Sequence, residues 1–171
     1  AAGLAKIGIT PFVHTIAPFL VERSYEQLKI DFGYQNLNGN FISAGASYDY
    51  SALGCTHHCP GDIGILSNIP NMQITIPGTA QELDTLIMSC YNNGAPTYYR
   101  MSETKNITSR EIEFGKGLVI REGKAATVIC FGNMLNSVYK ACEDFDVTIL
   151  YYTTVIPFDT ELLKKYKNEI V

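Results

Sequence analysis

Apolar and polar positions along this chain follow two rhythms, a short-range β-rich pattern in brief runs and a 3.6-residue period between them, as expected for strands interleaved with helices. FVHTI at 12–16 reads as a strand. After it, LVERSYEQLKIDF places Val21, Tyr25, Leu28 and Phe32 on one helical face, and Gly33 closes the pattern. NFISAGA (40–46) and MQITIP (72–77) are the next strands, each bounded by Gly, Asn or Pro. In GTAQELDTLIMSCYNNG, Thr79 and Glu82 stand at capping-box spacing, Leu83, Leu86, Ile87 and Cys90 form the apolar stripe, and Asn93-Gly94 stops the helix. PTYYRM (96–101) completes the set as a strand. The order predicts an α/β fold with a mostly parallel sheet flanked by helices.

The composition then shifts. SETKNITSREIEFGKG (102–117) is polar and reads as a linker. Beyond it GLVIREG, AATVICFG and DVTILYYTTV read as strands, with a helix near 133–144 carrying Leu135, Val138, Tyr139 and Cys142, and another opening at Asp159. The boundary falls near residue 106: 1–106 forms one α/β domain, and 107–171 holds the linker and part of a second, smaller α/β domain. AAGLAKIGIT already reads as helix, and KKYKNEIV ends in a helical pattern, so the chain reads as a fragment.

Charge narrows the partners. Seventeen acidic against 13 basic residues, a net charge of -4 and no Lys/Arg cluster argue against nucleic acid and against an anionic membrane surface, and favour a small-molecule or protein partner. No apolar run reaches membrane-spanning length. Five scattered cysteines (55, 59, 90, 130, 142), without a secretory signal, read as reduced thiols of a cytoplasmic protein.

CTHHC at 55–59 is the densest chemical motif. Zinc takes four N/S ligands, usually as two close pairs separated by a longer loop, and this motif supplies one cluster only. Adjacent His57 and His58 point in different directions in most backbone conformations, and His14, Cys90, Cys130 and Cys142 are isolated. As buried small hydrophobes the cysteines need no further role. A cysteine nucleophile paired with histidine would require a depressed thiol pKa.

Taken in order, AAGLAKIG, PFVHTIAPF, RSYEQ, CTHHCPGDI, IPNM, PGTAQE and PTYYR resemble the pyrimidine-binding domain of the transketolase family, and KGLVIREGKAATVICFGNML with VIPFDTELL resembles the start of that family's C-terminal domain. The likeness is greatest to the C-terminal chain of a two-subunit transketolase. It implies thiamine diphosphate chemistry, in which a two-carbon ketol unit passes from a ketose to an aldose and the protein binds and orients the cofactor. It further implies a homo- or hetero-oligomer in which a partner domain or subunit holds the diphosphate and its magnesium or calcium ion. Phe19 matches the aromatic that stacks on the aminopyrimidine, and Arg23 an arginine near the same pocket. His57 matches the histidine of the (S/T)-H-(Q/H) loop that reaches substrate oxygens, where an imidazole can donate a hydrogen bond and exchange a proton. His58 follows it, and Arg100 matches the arginine of P-x-Y-I-R, whose fork of donors suits a sugar hydroxyl or phosphate. Each has a plainer reading: core for Phe19, an exposed helix charge for Arg23, a strand-end salt bridge for Arg100.

The chain departs from the family pattern in several places. The glutamate that activates the cofactor lies before the A-x-G-L-A segment, so the fragment alone is expected to be inactive. GDI at 61–63 followed by Asn92-Asn93 is similar to the GDG…NN signature for magnesium and diphosphate, but Ile63 stands where backbone approach favours Gly. Leu53 occupies the place of an aspartate that contacts a donor hydroxyl, and Glu103 that of an arginine that helps hold phosphate. An anion there repels phosphate, which implies an unphosphorylated or nucleotide-linked sugar. Two alternatives remain at this point: the β-subunit of a 2-oxo-acid dehydrogenase or a deoxyxylulose-phosphate synthase, which share the architecture, and a metal-binding or structural subunit using Cys55, His57, His58 and Cys59.

Overall fold

The runs at 12–16, 40–46, 72–77 and 96–101 become β1 (Phe12–Ile16), β2 (Gly39–Ala44), β3 (Gln73–Thr75) and β4 (Pro96–Arg100) in the computed structural model, which describes residues 1–166 and 169–170. The described chain divides into two units, Ala1–Thr75 with Ile87–Glu103 and Ile76–Leu86 with Thr104–Val171. In the first unit the four strands run in the order β1-β2-β4-β3 and every pair is parallel. Ile16 lies opposite Ala44 and Ser43 opposite Arg100, so the carboxyl ends of β1, β2 and β4 stand side by side.

The helical stripe at Val21, Leu28 and Phe32 is buried as its spacing requires, but one continuous α-helix does not form. A short α1 (Ala2–Lys6) precedes β1; after it come α2 (Ala17–Leu20), a turn, and α3 (Tyr25–Gln27), which widens into a π-helix over Leu28–Tyr34. At this break the Ser24 hydroxyl donates to the Leu20 carbonyl. Phe32 packs edge-on against Phe41 with ring centroids 4.7 Å apart. A further short helix, α4 (Asp62–Leu66), follows the CTHHC loop.

The expected helix after Pro77 is α5 (Ala80–Cys90), with Leu86 and Cys90 fully buried. Its capping box is half conventional. The Glu82 N–H donates to Thr79 Oγ1 at 3.2 Å, but the buried Glu82 carboxylate accepts from the Gly78 and Arg110 N–H groups and the Tyr151 hydroxyl instead of the Thr79 N–H. Burial first, and then Glu82, push the Tyr151 pKa upward.

In the second unit, β5 (Gly117–Arg121), β6 (Ala126–Phe131) and β7 (Val147–Tyr152) form a sheet in the order β5-β7-β6, antiparallel at β5/β7 and parallel at β6/β7. Helix α6 (Leu135–Ala141) buries Leu135 on the cluster of Cys130, Val147, Ile149 and Tyr151. β8 (Thr154–Ile156) is followed by α7 (Thr160–Lys165), whose N-cap Asp159 accepts the Leu162 N–H. Tyr139, counted in the apolar stripe, is instead exposed beneath the Arg121 guanidinium. The helical pattern at the chain's end also stops early: α7 closes at Lys165, and β9 (Glu169–Ile170) pairs parallel with β6. Lys167, Asn168 and Val171 lie outside the described residues.

Candidate functional site at the strand ends

Open parallel α/β sheets bind ligands beyond the carboxyl ends of their strands. In the first unit, Phe19 lies just after β1, the loop 45–61 follows β2, and Arg100 ends β4. These three strands are neighbours only because the chain places β4 between β2 and β3. Three groups of side chains form there.

The first contains Phe19, Arg23 and His57. Phe19 is half-buried, the exposed Arg23 guanidinium carbon lies 4.0 Å over its ring centroid, and the His57 ring is inclined to it at 62° with centroids 5.3 Å apart. His57 Nδ1 lies 3.0 Å from Thr56 Oγ1. An aromatic plate, a displaceable cation and an imidazole thus meet within one small volume.

His58 belongs elsewhere. It packs edge-on against Tyr48 at 5.2 Å, with Nε2 3.4 Å from the Ser51 carbonyl. Cys59 is buried, its Sγ 3.8 Å from Glu22 Oε1. Burial, with Asp62 and Glu22 adding to it, pushes that thiol up to about 12, which opposes the thiolate that a nucleophile requires. The members of CTHHC therefore face different neighbours, and among the described residues no three His, Cys, Asp or Glu side chains form a group that could hold a metal ion.

The third group surrounds Arg100. Its Nε donates to Asp62 Oδ2 at 2.7 Å and its Nη2 to Ser47 Oγ at 2.6 Å. Asp62 is fully buried and also accepts the Tyr98 hydroxyl at 2.9 Å and the Ile63 N–H at 3.0 Å. Ser43 in turn donates to the Tyr98 hydroxyl at 2.8 Å. Burial and Asp62 hold the Tyr98 pKa well above its usual value, so it remains a donor. Ser47, at φ 52°, also accepts the Cys59 N–H through its carbonyl at 2.9 Å, which ties the loop's end to the arginine's support. At Gly45, φ is 76° and the Tyr50 ring fills the space of a Cβ, so glycine alone lets the chain turn there. The strand-end salt bridge considered for Arg100 is present.

Sequence reasoning missed Asp62, Ser47 and Tyr98. Asp62 sits in GDI, whose only evident meaning was an imperfect diphosphate signature. The usable signal was a lone acid directly after the histidine loop, available to a basic residue at a strand end. Leu53 is exposed at the loop's tip. Glu103 has its N–H held by Asp49 Oδ2 at 2.9 Å, and its side chain hydrogen-bonds the Tyr50 hydroxyl, which raises the Tyr50 pKa.

An α/β domain with parallel strands here gathers an aromatic ring, an imidazole and a braced guanidinium at its strand ends. Residues 1–107 match the model of the transketolase pyrimidine-binding domain, and the chain belongs to that family. It is 38% identical over 159 residues to an uncharacterized 33.6 kDa protein in the fasciation locus of Rhodococcoides fascians, covering 93% of this chain and 51% of that protein. To a subunit of the apulose-4-phosphate transketolase of Actinobacillus succinogenes it is 31% identical over 172 residues, covering 95% and 55%. A split-gene transketolase solved as an inactive β4 tetramer superposes with a TM-score of 0.84 at 26% identity, over 97% of this chain and 56% of that one. The chain thus spans about half the length of these relatives.

Proposed function

We propose that this chain supplies the pyrimidine side of a thiamine diphosphate-dependent ketol-transfer site, completed by a diphosphate-binding domain or subunit that holds the metal ion. The observation that carries the reading is the meeting of Phe19, Arg23 and His57 at the strand ends of a domain whose sequence matches the pyrimidine-binding family. The residues fit a flat heteroaromatic ring: Phe19 offers a stacking face once the exposed Arg23 moves aside. When bound, thiamine diphosphate supplies the nucleophilic carbon that accepts a two-carbon unit from a ketose.

In this reading Phe19 positions the ring and excludes water, Arg23 borders it, and His57 hydrogen-bonds a substrate oxygen and moves its proton. Arg100 donates to a sugar oxygen, and His58 borders the sugar through its contact with Tyr48. Residues 107–171 form the linker and the start of the family's C-terminal domain. The protein acts in the cytoplasm on a sugar, as an oligomer with its partner. Mixing the full-length protein with a diphosphate-binding partner should give saturable thiamine diphosphate binding and ketol transfer from a ketose. Absence of both overturns the reading, and decarboxylation of pyruvate in place of ketol transfer assigns the site to the 2-oxo-acid dehydrogenase or deoxyxylulose-phosphate synthase type.

A further inference from the structure

Arg100 meets a prospective ligand with its charge already matched. Its Nε edge is fixed on Asp62 at 2.7 Å, and Asp62, fully buried, is itself held by the Tyr98 hydroxyl and the Ile63 N–H and so cannot swing away. Ser47 takes one N–H of Nη2. What is left of the guanidinium, the Nη1 group and the second Nη2 hydrogen, is a set of donors attached to a neutral ion pair. Further carboxylates lie on the adjoining segments. Asp49, two residues beyond Ser47, accepts from the Ser102 hydroxyl and the Glu103 N–H, and Glu103, three residues beyond Arg100, bonds Tyr50. One guanidinium is thus accompanied by three carboxylates on the segments that brace it.

We propose that Asp62 is the specificity-determining residue of this site: by cancelling the Arg100 charge and fixing its edge, it makes Arg100 read an uncharged hydroxyl or carbonyl oxygen of the sugar and reject phosphate. An anion beside Nη1 meets the arginine's attraction together with the repulsion of the carboxylate bonded to the same guanidinium, which water cannot reach; a neutral oxygen meets the donors alone. Asp62 touches no ligand and acts through Arg100. The proposal rests on the reading of Arg100 as a sugar contact.

The test uses the full-length protein with its diphosphate-binding partner and two measurements, the KM for an unphosphorylated ketose such as D-xylulose and the inhibition constant of inorganic phosphate. Arg100→Ala should raise the KM about tenfold; because it also uncovers the Asp62 charge, which alone repels phosphate, the phosphate comparison is made between wild type, Asp62→Asn and the double variant. Asp62→Asn should tighten phosphate inhibition about tenfold, and adding Arg100→Ala to it should abolish that gain. Weaker phosphate inhibition in the Asp62→Asn/Arg100→Ala double variant than in wild type overturns the proposal, as does unchanged inhibition in a folded Asp62→Asn protein. If Arg100→Ala leaves the ketose KM unchanged, the reading of Arg100 as a sugar contact falls and the proposal with it, whereas a raised KM with either phosphate result above sinks the proposal alone. Should Asp62→Asn not fold, the double variant, which leaves no unpaired buried charge, still decides against wild type.

Discussion

Replacing Phe19 with alanine separates two roles open to a half-buried aromatic. An ordinary core phenylalanine loses about 3–5 kcal/mol of folding stability on truncation. Phe19 is only partly enclosed, and its ring contacts are an exposed guanidinium at 4.0 Å and an imidazole at 5.3 Å. An exposed cation–π pair contributes about 0.5–1 kcal/mol and an aromatic pair about 0.5–1.5 kcal/mol, so the expected stability loss is about 1–2.5 kcal/mol. Stacking on an aminopyrimidine adds buried apolar area to a second aromatic contact, about 1.5–3 kcal/mol, which corresponds to about ten- to hundredfold in cofactor Kd. Urea denaturation of the variant measures the first quantity. Titration of thiamine diphosphate into the full-length protein with its partner measures the second. Phe19→Leu keeps the apolar bulk but loses the π face, and should fall between wild type and alanine in cofactor affinity. A stability loss of about 3 kcal/mol or more with an unchanged cofactor Kd identifies Phe19 as core and refutes the reasoning.

Three other outcomes are expected. His57→Ala should lower kcat by about 10²–10⁴ with little change in KM, and an unchanged kcat reduces His57 to a packing partner of Phe19. Exposed Cys55 should react with thiol reagents at mild pH while Cys59, Cys90 and Cys130, each pushed up to about 12 by burial, stay inert. Because these folded thiols keep their protons to higher pH than unfolded ones, which ionise near about 8.5, the stability they contribute is complete below that value and declines as pH rises toward 12. The urea midpoint followed from pH 8 upward should fall across that window, and a flat profile contradicts the burial argument. Glu82→Gln should cost about 1–3 kcal/mol of stability, since its carboxylate is the shared acceptor for the Gly78 and Arg110 N–H groups and the Tyr151 hydroxyl. Calorimetry of the variant checks it.

Much of the framework was legible because burial imposes periodicity. The four parallel strands, α5 and the β5–β7 segments follow directly from apolar runs and stop signals. Two local features were not. The break between α2 and α3, where the Ser24 hydroxyl bonds the Leu20 carbonyl, leaves no mark on the apolar periodicity. The strand at Glu169–Ile170 is set by pairing with β6 more than forty residues earlier, whereas its own sequence continues the helical pattern of Lys164 and Lys165. The candidate residues on the loops were singled out through motif order. Their support was not, because Asp62 and Arg100 are 38 residues apart and meet only through the sheet order.

That support has a simple origin in the pleat of β4. Side chains two apart on a strand share a face, so Tyr98 and Arg100 both reach Asp62 Oδ2, at 2.9 and 2.7 Å, while Thr97 and Tyr99 point the other way and bond Gln73 and Asn40. The same alternation places Ser43, register partner of Arg100 on β2, under the Tyr98 hydroxyl. PTYYR therefore encodes more than an arginine at a strand end: it carries the arginine and, two residues earlier, a donor that keeps the arginine's counter-ion in place. A one-residue slip of β4 against β2 would turn Tyr99 toward Asp62 and Arg100 away from it, so the register of a buried parallel pair and the charge state presented to a ligand are one constraint. For that reason Tyr98→Phe, which removes only a hydroxyl, should change the Arg100-dependent KM while leaving the sheet intact; a variant with wild-type KM would show that Arg100 and the Ile63 N–H hold Asp62 without help from the strand.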